Sequence, residues 1–564
     1  MTFENQIHNV YQKYLNREFV QAEAGIQNLL ATNPTNDNVL RLGALTALAL
    51  KQVHTAHERL QKALQVSELT AETANTLGNI LQASGEWSKA ESAYRKALEL
   101  EPTDQLALEN IVDLLLQSGQ PDRAILELDS QVARSSEDNL KRLARTNALI
   151  NLGLYENALE VVNLINLPLK TGVVAILKVR IFYHLGRYQE MKEIAESIPA
   201  NSEYAVDALN IVVNAYTTQG DWAAAQSAIE TACSPSDAPP EIFVTSANLA
   251  TRNGQDTFSK IMITQAVDQF GAQADILAAQ AHKAMKDKTP KLSYKLFKQA
   301  LSLKHNDFSI MLGTAQAALV LEKYDECQNL IQSAFNQSPN NQLLLALTAS
   351  LQRARGENHH TLFNYDHFVR LYDLQAPPGY SSIETFNADL KSRLNELHLS
   401  QSAPINQSFR GGTQTDIDLF FINDPILKAF FSAIDAPIRD YIEVIGNQKN
   451  HPLSRRNTGQ YRINGSWSVR LSPHGHHMNH VHSLGWISSS YYVDIPDVVE
   501  NSNRHEGWIK FGEPGIIGLN HKVEKFIRPR AGQLLLFPSY MWHGTVPFSG
   551  KHTRMTLPFD IVPR

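Results

Sequence analysis

The sequence predicts a multidomain protein: an all-α solenoid of paired helices over residues 3–370, then a small antiparallel β domain with flanking helices over 371–564. Three observations carry this. A pattern of small residues repeats with a step of 34 through the first part. It fades at a stretch broken by prolines and a glycine, "LQAPPGYSS". After Ser466 the apolar residues alternate with the period of strands. At 564 residues the chain is also too long for a single hydrophobic core.

The repeat is set by Ala22, Ala56, Ala90, Ala124, Ala158, Met191, Ala225, Ser259, Ser293 and Cys327, evenly spaced except for one step of 33 into Met191. Five positions before them run Gly85, Gly119, Gly153, Gly186, Gly220 and Gly254, and Gly356 resumes the series after two missed beats. In the clearest copy, Ala71 to Pro102, Leu77, Gly78 and Leu81 share the first helix and Ala90, Tyr94 and Ala97 the second. A small residue at the crossing lets two helices approach closely, and the glycine permits a left-handed turn between them. Cys327 occupies the small-residue slot, which predicts a packed thiol rather than a reactive one. Six residues before the glycine phase stand Asn79, Asp113, Asn147, Arg180, Asn214 and Asn248, continued in step by His282 and Gln316. All are polar. An asparagine amide offers both a donor and an acceptor, matching a peptide bond, so Asn79, Asn147, Asn214 and Asn248 could hold an extended backbone. The same positions also fit a plain solvated face.

Period and phase resemble the tetratricopeptide repeat, in about ten copies. That resemblance places the asparagine phase on the first helix of each repeat, facing a concave groove. It implies a peptide or protein partner.

Beyond residue 371, "FNADLKSRLNELH" and two short patterns in "DPILKAFFSAIDAPIRDYIEVIG" predict a helical shoulder over 371–447. A β core over 460–564 follows, with strands in "SWSVRL", "MNHVH", "GWISSSYYVDI", "GWIKFG", "QLLLF", "HGTVPF" and "TRMTLPFDIV". Five of the 20 histidines fall between residues 474 and 482. On a strand, His480 and His482 share a face and could converge on one ion. His474, His476 and His477 come earlier and are expected in a turn, away from any metal. The third ligand should come from another strand, with His543 the best candidate. On the last strand Arg554 and Thr556 share a face, and an arginine there can grip a carboxylate with two hydrogen bonds. Trp486, Tyr491, Tyr492 and Trp542 fit either cavity walls or ordinary core.

Two ligands on one strand, a distal histidine and an arginine beyond it resemble the 2-oxoglutarate- and Fe(II)-dependent oxygenases, whose fold is a double-stranded β-helix, or jelly roll. More narrowly, "NHVHSLGWISSSYYVDIP" and "RPRAGQLLLFPSYMWHGTVPF" resemble a bacterial and phage group of such domains often fused to tetratricopeptide repeats. The resemblance covers residues 373–564 and includes "RGGTQT" and "HPLSRRN". It implies Fe(II) as metal and 2-oxoglutarate as cosubstrate. His480 would be the first ligand, His543 the distal ligand, and Arg554, assisted by Thr556, the partner of the far carboxylate. His482 departs from the wider superfamily, which has an acid at that place. It either ligates directly or stands back behind a water. The implied activity is hydroxylation of a peptide or protein held by the repeat groove. Two alternatives are an interaction scaffold with an inactive oxygenase-like domain and a three-histidine dioxygenase that needs no 2-oxoglutarate. A zinc hydrolase also uses three histidines, but no general base is evident and Arg554 would be unexplained.

A net charge of -6 gives no reason to expect nucleic acid. No apolar run reaches the roughly eighteen residues of a membrane span, so no membrane partner is expected. The N-terminus lacks a signal-peptide layout, and Cys233 and Cys327 form no CxxC pair. A cytoplasmic location is the expectation.

Overall fold

A computed structural model describes residues 2–564 except 16–17, 51, 85, 103, 118–119, 121–122, 128–138, 167–171 and 399–406. Gly85 and Gly119 of the turn series lie outside the described residues. Contacts divide the chain into two units, Met1–Leu152 with Glu160–Asn166, and Gly153–Leu159 with Leu167–Arg564.

The first unit is built of helices paired in chain order, among them Asp37–Ala49 with Val53–Val66 and Ala71–Ala83 with Trp87–Leu100. The second unit continues the same arrangement through Val173–His184 with Tyr188–Glu196, Ala205–Thr218 with Trp222–Cys233, Pro240–Arg252 with Asp256–Phe270, Ala274–Lys286 with Pro290–Leu303, and Phe308–Val320 with Tyr324–Gln337. All ten residues of the 34-step series are fully buried, as close helix crossings require. Burial pushes the Cys327 thiol up to about 12, an unreactive group. Gly153, Gly186, Gly220, Gly254 and Gly356 have φ between +70° and +78°. At the two missed beats the turn persists without glycine, with Lys288 at φ 57° and Glu322 at φ 59°. The geometry of the turn therefore repeats more strictly than its sequence does. None of the eight positions in the polar ladder is buried. No helix of the described residues is long and apolar enough to cross a membrane.

After helix Gln342–Ala354 the chain changes character. Helix Ile383–Leu397 and the pair Pro425–Ala433 and Asp435–Ile445 form the shoulder, as their apolar spacing predicts. The strands are β1 (Arg370–Asp373), β2 (Phe409–Gln414), β3 (Tyr461–Ser466), β4 (Val469–His477), β5 (Ile487–Asp494), β6 (Ile509–Phe511), β7 (Lys525–Ile527), β8 (Gln533–Pro538), β9 (His543–Thr545), β10 (Arg554–Leu557) and β11 (Phe559–Pro563). They form two antiparallel sheets. The larger runs β1-β8-β5-β10-β4-β2, with β11 pairing β3 and β5, and the smaller runs β7-β6-β9. The hydrophobic core is unbroken from Met311 on the solenoid to Ile561 on β11.

The histidine segment differs from expectation. "MNHVH" is not a strand. Strand β4 ends at His477, and His480 and His482 lie in the loop after it. Conversely, His474, His476 and His477, expected in a turn, belong to β4. Within β4 the ladder to β2 is irregular. His474 has φ 67°, and the register of β2 on β4 shifts between Arg410 and Gly412. At this shift a Cβ on Gly475 would stand 2.1 Å from the Gly411 carbonyl oxygen, so only glycine fits. Strand β2 itself, "FRGGTQ", has too weak an alternation to be read as a strand beforehand.

Candidate metal centre

His480 is held by its backbone. Its N–H donates to the His543 carbonyl at 2.8 Å and its carbonyl accepts the His543 N–H at 3.1 Å, an isolated antiparallel bridge that pins the loop to β9. The side chains converge as well. The ligand atoms of His480, His482 and His543 all lie within 4.8 Å of one another, and this is the one such cluster found among the described residues. His480 Nε2 stands 3.2 Å from His482 Nε2, and the His480 and His543 rings are 4.2 Å apart. Convergence arises from loop geometry and this bridge, not from strand periodicity.

Hydrogen bonds fix which nitrogen faces inward. His480 Nδ1–H donates to the Met478 carbonyl at 2.7 Å, and His543 Nδ1–H donates to the Met541 carbonyl at 2.9 Å. Each Nε2 is thereby left as the nitrogen that carries the lone pair. Burial, with the neighbouring His482, pulls His480 down to about 3, and burial likewise holds His543 well below the ordinary histidine range. Both are neutral imidazoles at pH 7, the form that binds metals.

His482 is arranged differently. Its Nδ1–H lies 2.7 and 2.6 Å from the two oxygens of Asp560 on β11. Burial lowers its pKa, but the Asp560 charge and hydrogen bond outweigh burial and the net shift is upward. With Nδ1–H committed to Asp560, Nε2 points at the Nε2 of His480. Two lone pairs so close repel unless a cation or a proton lies between them. The donor set thus suits a divalent metal, with a carboxylate behind one imidazole. Asp560 also accepts the Ser488 hydroxyl at 2.8 Å, and Ser488 Oγ lies 2.9 Å from Ser539 Oγ. Asp560 was not anticipated. Its signal was a lone acid amid the apolar residues of "LPFDIV".

The three histidines open into a cavity of about 590 Å³ whose walls come from both sheets. Arg554 and Thr556 of β10 line it, as do Ser489, Ile509, Phe537 and Asp560. Arg554 is 2% exposed, its guanidinium lies 5.4 Å from the Tyr492 ring, and its Nε has no hydrogen-bond partner. Burial lowers its pKa, and no described carboxylate forms an ion pair with it. A buried guanidinium with no anion beside it is costly, and a ligand carboxylate is the group that would satisfy it. The residues present therefore fit both a divalent metal and an oxo acid.

Other residues fall elsewhere. None of Trp486, Tyr491, Tyr492 and Trp542 lines the cavity. Trp486 Nε1 donates to the Leu453 carbonyl, Tyr491 Oη to Asn387 and Trp542 Nε1 to Ser350, which makes them core anchors. Trp467 lines the cavity instead, its ring 5.9 Å from that of His482. His477 also reaches the cavity wall, 6.0 Å from His480 between ring centres, whereas it was expected to stand apart. Ser408 Oγ bridges the two, 3.2 Å from His480 Nε2 and 3.4 Å from His477 Nδ1. Of the ladder asparagines, Asn79 accepts the Tyr94 hydroxyl, Asn147 donates to the Leu143 carbonyl of its own helix, and Asn214 donates to Tyr183 Oη.

The model of the family described as "Putative 2OG-Fe(II) oxygenase" matches residues 465–560, a span containing His480, His482, His543, Arg554, Thr556 and Asp560. A "Tetratricopeptide repeat" model matches residues 71–104. The chain therefore joins a helical solenoid of tetratricopeptide type to an antiparallel β region with flanking helices, within which residues 465–560 are similar to that oxygenase model. No curated protein matches it. Similar solved structures include the APC/C hetero-tetramer Cut9-Hcn1, at 10% identity over 63% of this chain and 84% of that chain, with TM-score 0.27. PilF of Pseudomonas aeruginosa aligns at 16% identity over 40% of this chain and 88% of that chain, with TM-score 0.27. PilW, a type IV pilus biogenesis factor, aligns at 20% identity over 37% and 98%, with TM-score 0.30.

Proposed function

We propose that residues 371–564, carried by the solenoid of residues 3–370, form an Fe(II)- and 2-oxoglutarate-dependent oxygenase that hydroxylates a peptide or protein delivered along the repeat groove. The observation that carries this reading is the pairing, in one cavity, of a three-histidine cluster with the buried guanidinium of Arg554, whose Nε has no hydrogen-bond partner. When bound, Fe(II) and 2-oxoglutarate together supply the oxidising chemistry: dioxygen is reduced, the oxo acid is split to succinate and carbon dioxide, and one oxygen atom enters a substrate C–H bond.

The chain's own part follows from its geometry. His480 and His543 present Nε2 lone pairs fixed by backbone carbonyls, and Asp560 holds His482 in the matching orientation and supplies compensating negative charge. Arg554, with Thr556 two residues along the same strand, receives the far carboxylate of the oxo acid. Ile509 and Phe537 make part of the wall apolar, which limits water near the reacting atoms. A three-histidine dioxygenase that needs no oxo acid would leave Arg554 buried without an anionic partner.

The full-length protein with Fe(II) is expected to convert 2-oxoglutarate slowly to succinate even without substrate. Arg554→Ala removes a charge-assisted pair of about 1.5–3 kcal/mol, so the 2-oxoglutarate requirement should rise roughly tenfold to hundredfold. Iron binding should be retained. Turnover with an unchanged requirement would support the oxo-acid-free reading.

A further inference from the structure

We infer that Ser488 and Ser539 are positioning residues of the metal centre, which act through Asp560 to hold the His482 ring with Nε2 turned toward the neighbouring imidazoles. The inference rests on the metal-binding part of the oxygenase reading and deepens it.

Strand β5 is otherwise apolar or aromatic in its buried part, yet it carries three serines in a row from Ser488. Ser488 and Ser539 are both fully buried, and buried hydroxyls need partners. The neighbouring Ser489 serves the sheet. Its hydroxyl donates to the Phe559 carbonyl at 2.7 Å and accepts the Phe559 N–H at 2.8 Å. Ser488 is directed elsewhere. It stands directly opposite Asp560 of β11, so the two side chains share a face, and its hydroxyl donates to Asp560 Oδ1 at 2.8 Å. Neither Ser488 nor Ser539 lines the cavity, so they reach a bound metal only by way of Asp560 and His482.

The direction of each bond follows from what each group can do. A carboxylate only accepts, and Asp560 takes the His482 Nδ1–H between its two oxygens. Ser488 has one hydroxyl hydrogen and spends it on Asp560, so its oxygen accepts from Ser539, 2.9 Å away. The donors therefore all point inward: Ser539 to Ser488, Ser488 to Asp560, and His482 to Asp560 from the other side. Bonds aligned in this way strengthen one another in a dry interior. A carboxylate with a single donor can swivel about its Cβ–Cγ bond, and the second donor, from β5, fixes its plane. Ser539 also holds His482 through the backbone. The His482 N–H donates to the Ser539 carbonyl at 3.1 Å, and the Ser539 N–H donates to the Trp486 carbonyl at 3.1 Å. The loop between is pressed close, since a Cβ on Gly485 would stand 2.3 Å from Ser539 Oγ. One residue thus fixes His482 at both ends, its N–H directly and its ring through Ser488 and Asp560.

The test is a double-mutant cycle on the full-length chain, read by titration with Co(II) and no oxo acid. Cobalt takes imidazole ligands as iron does, and its visible d–d bands report their number and arrangement. Ser488→Ala should weaken Co(II) binding by about threefold to tenfold and alter these bands, a smaller loss than that from removing Asp560 itself. In the Asp560→Ala background the same change should cost no further affinity, because Ser488 then has no carboxylate to hold. The same pattern, about twofold to threefold in size, is expected for Ser539→Ala, a milder change should Ser488→Ala fail to fold. A purely structural role would lower the urea midpoint and leave Co(II) affinity alone. Unchanged affinity in the serine variants, or a loss equal in both backgrounds, overturns the inference. The oxo acid plays no part in the cycle, so the oxygenase reading, tested by its own absorption, can fail while the cycle still gives its answer.

Discussion

His482 holds the place where the resemblance to the oxygenases leads one to expect an acid, and its Nδ1–H instead meets the carboxylate of Asp560. His480, His543, Arg554 and Thr556 were legible as candidates because histidine and arginine are rare in apolar strands and their spacing is informative. The His482–Asp560 pair was not, because its members are 78 residues apart and meet only when β11 closes against β5. The reading of the aromatic residues as walls or core was settled only by their polar ends, which reach Leu453, Asn387 and Ser350. Removing a carboxylate that orients a ligating histidine typically costs tenfold to hundredfold in metal affinity. Asp560→Ala should therefore weaken Fe(II) binding by about that factor in a competition titration with a chelator. Equal affinity in the variant and the parent would mean that Asp560 does not hold His482 for the metal.

Secondary structure was most legible where the pattern was long. The step of 34 located the helix pairs, and its phase located the turns even at Lys288 and Glu322, where no glycine marks them. It failed where a few residues decide the path. The alternation in "NHVHS" looks like a strand, but β4 ends at His477 and a single backbone bridge to β9 sets the loop. The turns offer a direct measure of backbone cost. A Cβ on Gly254 would meet nothing within 4 Å, so Gly254→Ala probes conformation without a clash. At φ +75° it should destabilise the protein by about 1 kcal/mol. Lys288→Gly, at an exposed residue of φ 57°, should instead stabilise it by a few tenths of a kcal/mol, because relief of strain exceeds the added freedom of the unfolded chain. Urea midpoints of the two variants should move in opposite directions. A shift in the same direction would mean that the turn tolerates a side chain without strain.

At the scale of the whole chain, the last repeats and the β sheets share one interior. Trp542 Nε1 donates to Ser350 Oγ at 3.0 Å, Tyr540 Oη to the Leu362 carbonyl at 3.0 Å, and Arg353 to the Gly512 carbonyl at 2.8 Å. These contacts join segments more than a hundred residues apart, so no local pattern could announce them. They also mean that the site is best tested in the intact chain, where the helices that complete its core are present. The most direct test of the oxygenase reading is an anaerobic titration of the full-length protein with Fe(II) in the presence of 2-oxoglutarate. The parent should develop the visible charge-transfer absorption of an Fe(II)–oxo-acid chelate, saturating at one iron per chain. His543→Ala should not, because it removes one of three converging imidazoles. A parent that takes up iron without this absorption, or a His543→Ala protein that develops it fully, would contradict the account.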